Sequence, residues 1–281
     1  MYNSNIILQI QSTYNQFTKA EKRVADYVLK NKQEVLYMSI TDLADSCEVG
    51  DTSVYRFCRT LRLQGYQEFK MKLLLSQSET EHVQNAIGFM QDDDSIARKV
   101  MESNIGAIRE SYMLIDKKNL NKIVKMIEGA RRVYFFGIGD SLLVAEEARN
   151  KFLRITEKVV CISDPHMQSM AAAMTTEQDL IIIISYSGAT KDNIHVAKEA
   201  RKAGAKIACI THFKKSPLTA YSDAILLCGA EESPLEGGSM SARIGQLYLI
   251  DLLYQEYYTK NYEISRENRR KTSSAVVEKL F

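Results

Sequence analysis

A series of short, continuous apolar runs in the second half of the chain most constrains its fold. Amphipathic helical stretches separate these runs. Continuous rather than alternating hydrophobicity is typical of strands that are covered on both faces, as in a parallel sheet between two helical layers. We therefore predict a three-layer α/β sandwich with a five-stranded parallel sheet. Its predicted strands are Val133–Phe136, Val159–Ile162, Leu180–Ile184, Lys206–Ile210 and Ala224–Leu227.

The first part of the chain has a different pattern, which indicates a second domain. A length of 281 residues is comfortable for two domains. We predict an all-α domain over residues 1–77 and a linker with a connecting helix over residues 78–105. The α/β domain is predicted over residues 106–281. The linker contains three successive aspartates, at positions 92–94. We interpret them as acidic residues at the start of the following helix rather than as a cation site, because adjacent side chains do not converge on one ion.

Several sequence features argue for a reduced, non-membrane environment. The chain has no basic residue before Lys19 and no long apolar stretch behind it, which is unlike a secretory signal. Its longest apolar run is too short to cross a bilayer. The five cysteines are widely spaced in apolar surroundings, so we expect reduced core residues rather than disulfides or a metal site. We expect a cytoplasmic protein with no metal and no cofactor.

Two capping signals predict consecutive short helices in the N-terminal domain. Thr18 followed by Glu21 has the spacing of a capping box, and the apolar face of the helix behind it continues to Lys30. Ser39 and Asp42 repeat the signal for a very short helix from Ile40 to about Cys47. A break of only three or four residues follows, and it includes Gly50.

The next helix completes a helix-turn-helix pattern. Asp51 or Thr52 is the expected cap, and the apolar side chains fall at i, i+3, i+4 and i+7. The stretch after Ser53 has a local basic excess that the net charge of +2 hides. A solvated helix face is the alternative, but the preceding helix and turn favour insertion into the major groove. The expected DNA contacts are Thr52, Ser53, Tyr55, Arg56 and Arg59.

Two loops of the predicted sheet combine glycines with hydroxyl side chains. One follows the first strand and reads Gly137-Ile-Gly-Asp-Ser141; the other follows the third strand and reads Ser185-Tyr-Ser-Gly-Ala-Thr190. Each runs into a helix, and in such folds ligands bind beyond the carboxyl ends of the strands. Glycine permits close approach of the backbone, and free amides at a helix start favour an anion.

Alternative interpretations of these loops remain. The first loop fails the dinucleotide fingerprint, because Leu142 occupies the place of the third glycine, and the chain has no Walker sequence. Asp164, just after the second strand, could bind a ribose and keeps a nucleotide ligand open. The second loop could be an ordinary turn with a helix cap.

Residues 132–211 resemble the sugar isomerase (SIS) domain, and residues 1–77 resemble the helix-turn-helix that precedes it in RpiR/MurR-type transcription regulators. The resemblance implies a SIS fold and a phosphorylated sugar as ligand. It also implies a homodimer or homotetramer that binds symmetric half-sites in double-stranded operator DNA. By the same resemblance Ser141, Ser185, Ser187 and Thr190 hold the phosphate, while Gly139 and Gly188 allow its close approach.

The chain could instead be a sugar-phosphate isomerase with an accessory N-terminal domain. That reaction needs a base, for which Glu236, His166 and His212 are candidates, but Glu236 and His166 could equally bind sugar hydroxyls. An isomerase leaves the N-terminal helices without a role, so we predict a regulator of sugar metabolism genes with no catalytic residues. Amino sugar phosphates, N-acetylated sugar phosphates and pentose phosphates all fit as effectors, in repression or in activation.

The C-terminal residues 239–281 predict one or two helices. Leu247, Ile250, Leu253 and Tyr254 share one apolar face. This face fits either a domain core or a contact between subunits.

Overall fold

The computed structural model describes residues 6–87, 93–229 and 239–277. These residues form two compact units, which divide after Glu102. In the described part of the chain no helix has the length and apolar character needed to cross a membrane. All five cysteines are free thiols; Cys161 is half-buried and the other four are buried.

The described residues of the first unit form helices joined by turns, with no strand. Its helices are α1 (Ile6–Thr13), α2 (Lys19–Lys30), α3 (Lys32–Tyr37), α4 (Ile40–Ser46), α5 (Asp51–Thr60), α6 (Tyr66–Ile87) and the first half of α7 (Asp93–Met113). The two predicted capping boxes are present, at Thr18 for α2 and at Ser39 for α4. Aromatic rings fill the core, where Phe57 lies 5.2 Å from Phe17 and 5.5 Å from Phe69 between ring centroids.

Helix α6 differs from its predicted extent. The predicted linker begins at residue 78, but the backbone stays helical to Ile87. The chain has neither glycine nor proline between Tyr66 and Ile87, so nothing local ends the helix at the polar stretch. Helices α1 and α3 were not predicted at all.

The second unit contains the predicted sheet. The strands are β1 (Arg132–Gly137), β2 (Val159–Cys161), β3 (Asp179–Ile184), β4 (Lys206–Thr211) and β5 (Ala224–Leu227). All neighbouring pairs are parallel, in the order β2-β1-β3-β4-β5. Every residue of β3 is buried, which confirms a sheet covered on both faces.

Helices cover the sheet on both faces and fill two apolar layers. They are α8 (Lys117–Gly129), α9 (Asp140–Phe152), α10 (Pro165–Ala173), α11 (Lys191–Lys202), α12 (Met240–Lys260) and α13 (Tyr262–Val277). The apolar face of α12 serves the core: Ile250, Leu253 and Tyr254 are buried there, and the half-buried Leu247 packs against them.

Candidate functional site

The strands β1 and β3 are neighbours at the centre of the sheet. Between them, the side on which the chain adds its next strand reverses. The chain moves from β1 to β2 on one side, then passes over β1 to add β3, β4 and β5 on the other. Such a switch point leaves a crevice beyond the carboxyl ends of the two central strands. Because Gly137 pairs with Ile184, the loops after β1 and β3 leave the sheet at the same level.

The loop after β1 turns directly into α9. Gly139 is the N-cap residue of α9, and its φ of +60° favours glycine. No side chain forms a capping hydrogen bond at this helix start. Ser141, the second residue of α9, is half-buried. Asp140 forms an ion pair with Arg243 at 3.1 Å. In this uncapped first turn of α9, the Leu142 amide donates to the Gly139 carbonyl at 3.0 Å.

The loop after β3 carries the predicted hydroxyls into α11. Ser185 is buried at its base, whereas Ser187 and Thr190 are half-buried. The Ser187 hydroxyl oxygen accepts a hydrogen bond from the Ala189 amide at 3.2 Å. Thr190 is the N-cap of α11, yet its side chain makes no capping bond.

Gly188 fits its position for two reasons. Its φ is +59°, and a Cβ atom there would overlap the Ser216 side chain. The chain therefore needs glycine at this point both for backbone conformation and for space.

The segment after β4 braces this loop, a feature that the sequence did not indicate. The Leu218 amide donates to the Gly188 carbonyl at 2.9 Å, and the Thr211 hydroxyl donates to the Tyr186 carbonyl at 3.0 Å. The His212 ring stacks on Tyr186 at 4.9 Å between centroids, and its Nδ1 lies 3.0 Å from the Cys228 carbonyl oxygen. His212, a candidate base by sequence, thus supports the loop.

The helix starts at the switch point differ from others in the same unit. Asp116, Asp164 and Ser239 cap α8, α10 and α12 by accepting hydrogen bonds from first-turn amides. The starts of α9 and α11 have no side-chain cap. Two uncapped helix N-termini at neighbouring strand ends provide amide donors and positive dipole ends for an anion.

The candidates for sugar contacts are less closely assembled. His166 is exposed in the first turn of α10, which follows β2. Asp164, the candidate for a ribose, accepts the Met167 amide at 2.9 Å and so serves as a helix cap. Glu236 lies outside the described residues.

Sequence reasoning missed Gln168, which lies beneath the crevice. Its fully buried amide group donates to the Gly137 carbonyl at 3.1 Å and to the Ile162 carbonyl at 2.8 Å. Gln168 therefore ties the end of β1 to the residue after β2. Only its position two residues after His166 could have drawn attention to it.

The first unit contains the predicted helix-turn-helix as α4, a tight turn and α5. The Val49 amide donates to the Ala44 carbonyl at 2.9 Å, and Glu48 adopts a φ of 52°. The predicted cap at Asp51 or Thr52 is wrong, because Gly50 is the N-cap residue. The Asp51 carboxylate instead accepts the Thr41 hydroxyl at 2.9 Å and joins α5 to α4.

The exposed face of α5 presents most of the predicted DNA-contacting residues. Thr52, Arg56 and Arg59 are exposed, while Ser53 and Tyr55 are half-buried. The Arg59 guanidinium donates to the Leu63 carbonyl at 3.2 Å, so this arginine is partly engaged within its own unit.

The buried Glu21 connects α2 to the end of α5. One carboxylate oxygen accepts the Thr18 amide at 2.7 Å and the other accepts the Thr60 hydroxyl at 2.8 Å. Burial favours the neutral acid, but these hydrogen bonds and the nearby Arg56 charge outweigh it and hold the pKa of Glu21 below its ordinary value. Thr60 thus fixes α5 to α2.

Two family models match the chain. Residues 4–80 match the helix-turn-helix domain of the rpiR family, and residues 126–255 match the SIS domain.

Two curated relatives match over most of their length. An uncharacterized HTH-type transcriptional regulator of Haemophilus influenzae is 33% identical over 98% of this chain and 97% of its own. The HTH-type transcriptional regulator HexR of Pseudomonas aeruginosa is 34% identical over 89% of this chain and 87% of its own. Among solved structures, the Vibrio vulnificus NanR protein complexed with ManNAc-6P aligns with a TM-score of 0.86 at 28% identity, covering 99% of this chain and 100% of that one.

Proposed function

Because this chain belongs to the rpiR family of helix-turn-helix transcriptional regulators that carry a SIS domain, we propose that a phosphorylated sugar controls its binding to operator DNA. Residues 1–77 read the DNA, and residues 106–281 bind the sugar. Residues 78–105 connect the two. Binding to chromosomal DNA makes the cytoplasm its place of action.

The observation that carries this proposal is the pair of uncapped helix starts at the switch point. The amides at the starts of α9 and α11 bind the phosphate, together with Ser141, Ser187 and Thr190. Ser185 completes the hydroxyl set at the base of the loop. Gly139 and Gly188 let the backbone approach the phosphate closely, since neither has a side chain in the way.

Sugar hydroxyls are the proposed ligands of His166 and Glu236. The solved NanR structure contains ManNAc-6P, so N-acetylated hexosamine phosphates come first in the panel of effectors to be tested. Hexose, amino sugar and pentose phosphates complete that panel.

The proposed DNA contacts lie on α5. Thr52 and Ser53 lie in its first turn, where a recognition helix approaches the DNA most closely, and Tyr55, Arg56 and Arg59 extend the contact along the same helix. Arg56 is the principal candidate for reading a base, because Arg59 already donates to Leu63.

We propose that the protein senses the sugar without converting it. The curated relatives are transcriptional regulators, and His212, one candidate base, is held by a carbonyl oxygen and a stacked tyrosine ring. Incubation with each phosphosugar should give thermal stabilisation without product. Saturation at about a hundred times the dissociation constant should add roughly 2.7 kcal/mol of stability. Accumulation of an isomer would favour the enzyme hypothesis.

Pairing of two chains through the second unit would place two recognition helices on one operator. Its surface exposes Ile105, Ile108 and Tyr112 at helical spacing along α7, next to Leu143 of α9. A groove of about 620 Å³ adjoins them, and its rim carries both charge signs, including the Lys151–Asp251 ion pair at 3.0 Å. A face with both signs can complement a second copy of itself in a two-fold dimer.

The effector acts through unequal affinity for two arrangements of the dimer. Sugar binding favours the arrangement that has the higher affinity for the sugar, and this shift changes the spacing between the recognition helices. The size of the response is limited by the ratio of the two affinities.

Mobility-shift assays on the DNA upstream of the protein's own gene, with and without the effector panel, test the proposal. Ser187→Glu should abolish the effector response, because the added carboxylate repels the phosphate, while operator binding stays intact. Ser274→Glu, an exposed position on α13, is the matched control and should respond normally. A normal response of Ser187→Glu would remove this loop from the site. Loss of DNA binding as well would indicate misfolding, which circular dichroism would reveal.

A further inference from the structure

The second unit has a concave, lysine-lined pocket that the proposed function does not use. Its volume is about 490 Å³, which lies within the range of small-molecule sites. We call it the lysine pocket. Its walls are formed by Lys118, Asn121, Lys122, Lys125, Met126 and Lys206.

The lysine pocket lies away from the proposed sugar site. Lys206 is the first residue of β4, so it marks the amino edge of the parallel sheet, whereas the loops after β1 and β3 leave from the carboxyl edge. Helix α8 supplies the other three lysines.

The acidic groups near the pocket are already engaged. The Lys122 ammonium donates to the main-chain carbonyl of Asp223, whose carboxylate accepts Arg201 at 3.0 Å and the Ile207 amide at 2.8 Å. The Asp116 carboxylate caps α8 by accepting the Lys118 amide at 2.8 Å. Four lysines thus line one concavity, and no carboxylate lies among the described residues of its lining.

The charge pattern of α8 does not serve the helix itself. Lys117 and Lys118 occupy the first turn, where the helix dipole disfavours cations, and that turn has no acidic residue. Lys118 and Lys122 are four residues apart, so two like charges are neighbours on the helix surface. Local patterns that oppose the stability of an element are found at functional sites.

We propose that the lysine pocket binds an oligophosphate group, as carried by a nucleoside triphosphate or by an inorganic phosphate chain. Lysine binds phosphate as a compact point charge. Four such charges match the three or four negative charges of a linear triphosphate, whereas a single phosphate leaves most of them uncompensated.

Calorimetric titration of the full-length protein at low salt tests the proposal with tripolyphosphate, ATP, AMP and inorganic phosphate. Tripolyphosphate should bind saturably, one per chain, and about tenfold or more tighter than inorganic phosphate. If ATP binds and AMP does not, the oligophosphate group is that of a nucleotide. If tripolyphosphate binds and ATP does not, the ligand is an inorganic phosphate chain. Absence of saturable tripolyphosphate and ATP binding would overturn the proposal.

The variant Lys125→Gln/Lys206→Gln should lose about tenfold or more in oligophosphate affinity. Lys198→Gln/Lys271→Gln removes the same charge from exposed positions elsewhere in the unit and should bind as the wild type does. An equal loss in both double variants would mean a general charge effect and would contradict the pocket. Loss of binding in Ser187→Glu alone would place the ligand in the loops after β1 and β3 instead.

Salt dependence of operator binding separates this site from a DNA contact. The pocket variant should keep the wild-type dependence. If the pocket variant instead reduces the slope of log operator affinity against log salt concentration by about two, and the wild type binds no oligophosphate, the lysines contact the DNA backbone. That result would overturn the proposal.

Discussion

Two arginines on α5 have different surroundings, and this should separate their roles in DNA binding. Arg56 is exposed and close enough to Glu21 to lower the pKa of that carboxyl. Arg59 donates a hydrogen bond to Leu63. Arg56→Ala should weaken specific operator binding by about 1 to 3 kcal/mol, as expected for an arginine that reads a guanine.

Arg59→Ala should give a smaller loss of affinity together with a lower melting temperature, because it also removes a bond within the unit. Arg266→Ala, exposed on α13, is the matched control. Binding titrations at one fixed salt concentration and thermal melts measure both effects. Unchanged operator affinity of Arg56→Ala would remove that residue from the contacts.

The buried carboxylate of Asp179 should make stability depend on pH. Burial alone would raise its pKa, but hydrogen bonds from Arg131 at 2.9 and 3.2 Å and from the Thr176 amide, with the Arg131 charge, hold it below the ordinary value. A carboxyl with a lower pKa in the folded chain stabilises that state above its unfolded pKa, about 4. This stabilisation disappears as the pH falls through the folded pKa.

Asp179→Asn should therefore lower the free energy of unfolding at pH 7 by about 1.5 to 3 kcal/mol. The difference from the wild type should shrink below about pH 4. Glu177→Gln neutralises a carboxylate at an exposed position in the turn before β3, outside the proposed dimer face, and should change the free energy of unfolding by at most about 0.5 kcal/mol. Urea unfolding across the pH range measures all three proteins, and a pH-independent difference would contradict this account.

At the scale of elements, the two loops beyond the sheet offer a matched pair of glycines. Gly139 and Gly188 have φ of +60° and +59°, but only Gly188 has neighbours where a Cβ would lie. Gly139→Ala should cost about 1 to 3 kcal/mol for the backbone alone, because a φ of +60° with a ψ of −131° is a conformation that side-chain-bearing residues avoid. Gly188→Ala should cost about 1 to 3 kcal/mol more, because Ser216 must move. If both variants lose the same free energy of unfolding in urea, Ser216 and the segment after β4 move aside without a measurable cost.

Several elements were predictable because a local signal coincides with a strong physical requirement. The central strands β1, β3 and β4 are apolar runs that are buried on both faces, and Thr18 and Ser39 carry complete capping boxes. Helix α1 has no such start signal, and α3 follows the end of α2 after Asn31 alone, so neither stands out from its neighbours. The cap of α5 was misplaced because Asp51 fits the cap pattern but bonds to Thr41 instead.

The candidate site was predictable in part for a related reason. Glycines and hydroxyls within each loop are adjacent in sequence, so Ser141 and Ser187 could be singled out from the printed chain. The support of the second loop comes from residues more than twenty positions away, such as Thr211, Ser216 and Leu218. Contacts of that separation leave no periodic signal in a single sequence.

At the scale of the whole molecule, the exposed face around α7 and α9 should decide the assembly state. Ile108→Glu places a charge at the centre of the proposed contact and should give monomers with weaker operator binding, because a dimer holds two half-sites at once. Ile264→Glu is the control, since Ile264 is 66% exposed on α13 and lies outside that face. Sedimentation velocity with parallel mobility shifts measures both. A wild-type mass for Ile108→Glu would rule out this face.

The segment after β4 braces residues 185–190, and this affects how much binding free energy an anion at this loop can pass on to a conformational change. A mobile loop would spend part of the free energy of anion capture on its own ordering. Here main-chain hydrogen bonds from the Leu218 and His212 amides hold the loop to the segment after β4. At the proposed phosphate site, a loop that is already held leaves more of the binding free energy to favour one arrangement of the dimer, up to the limit set by the ratio of the two affinities.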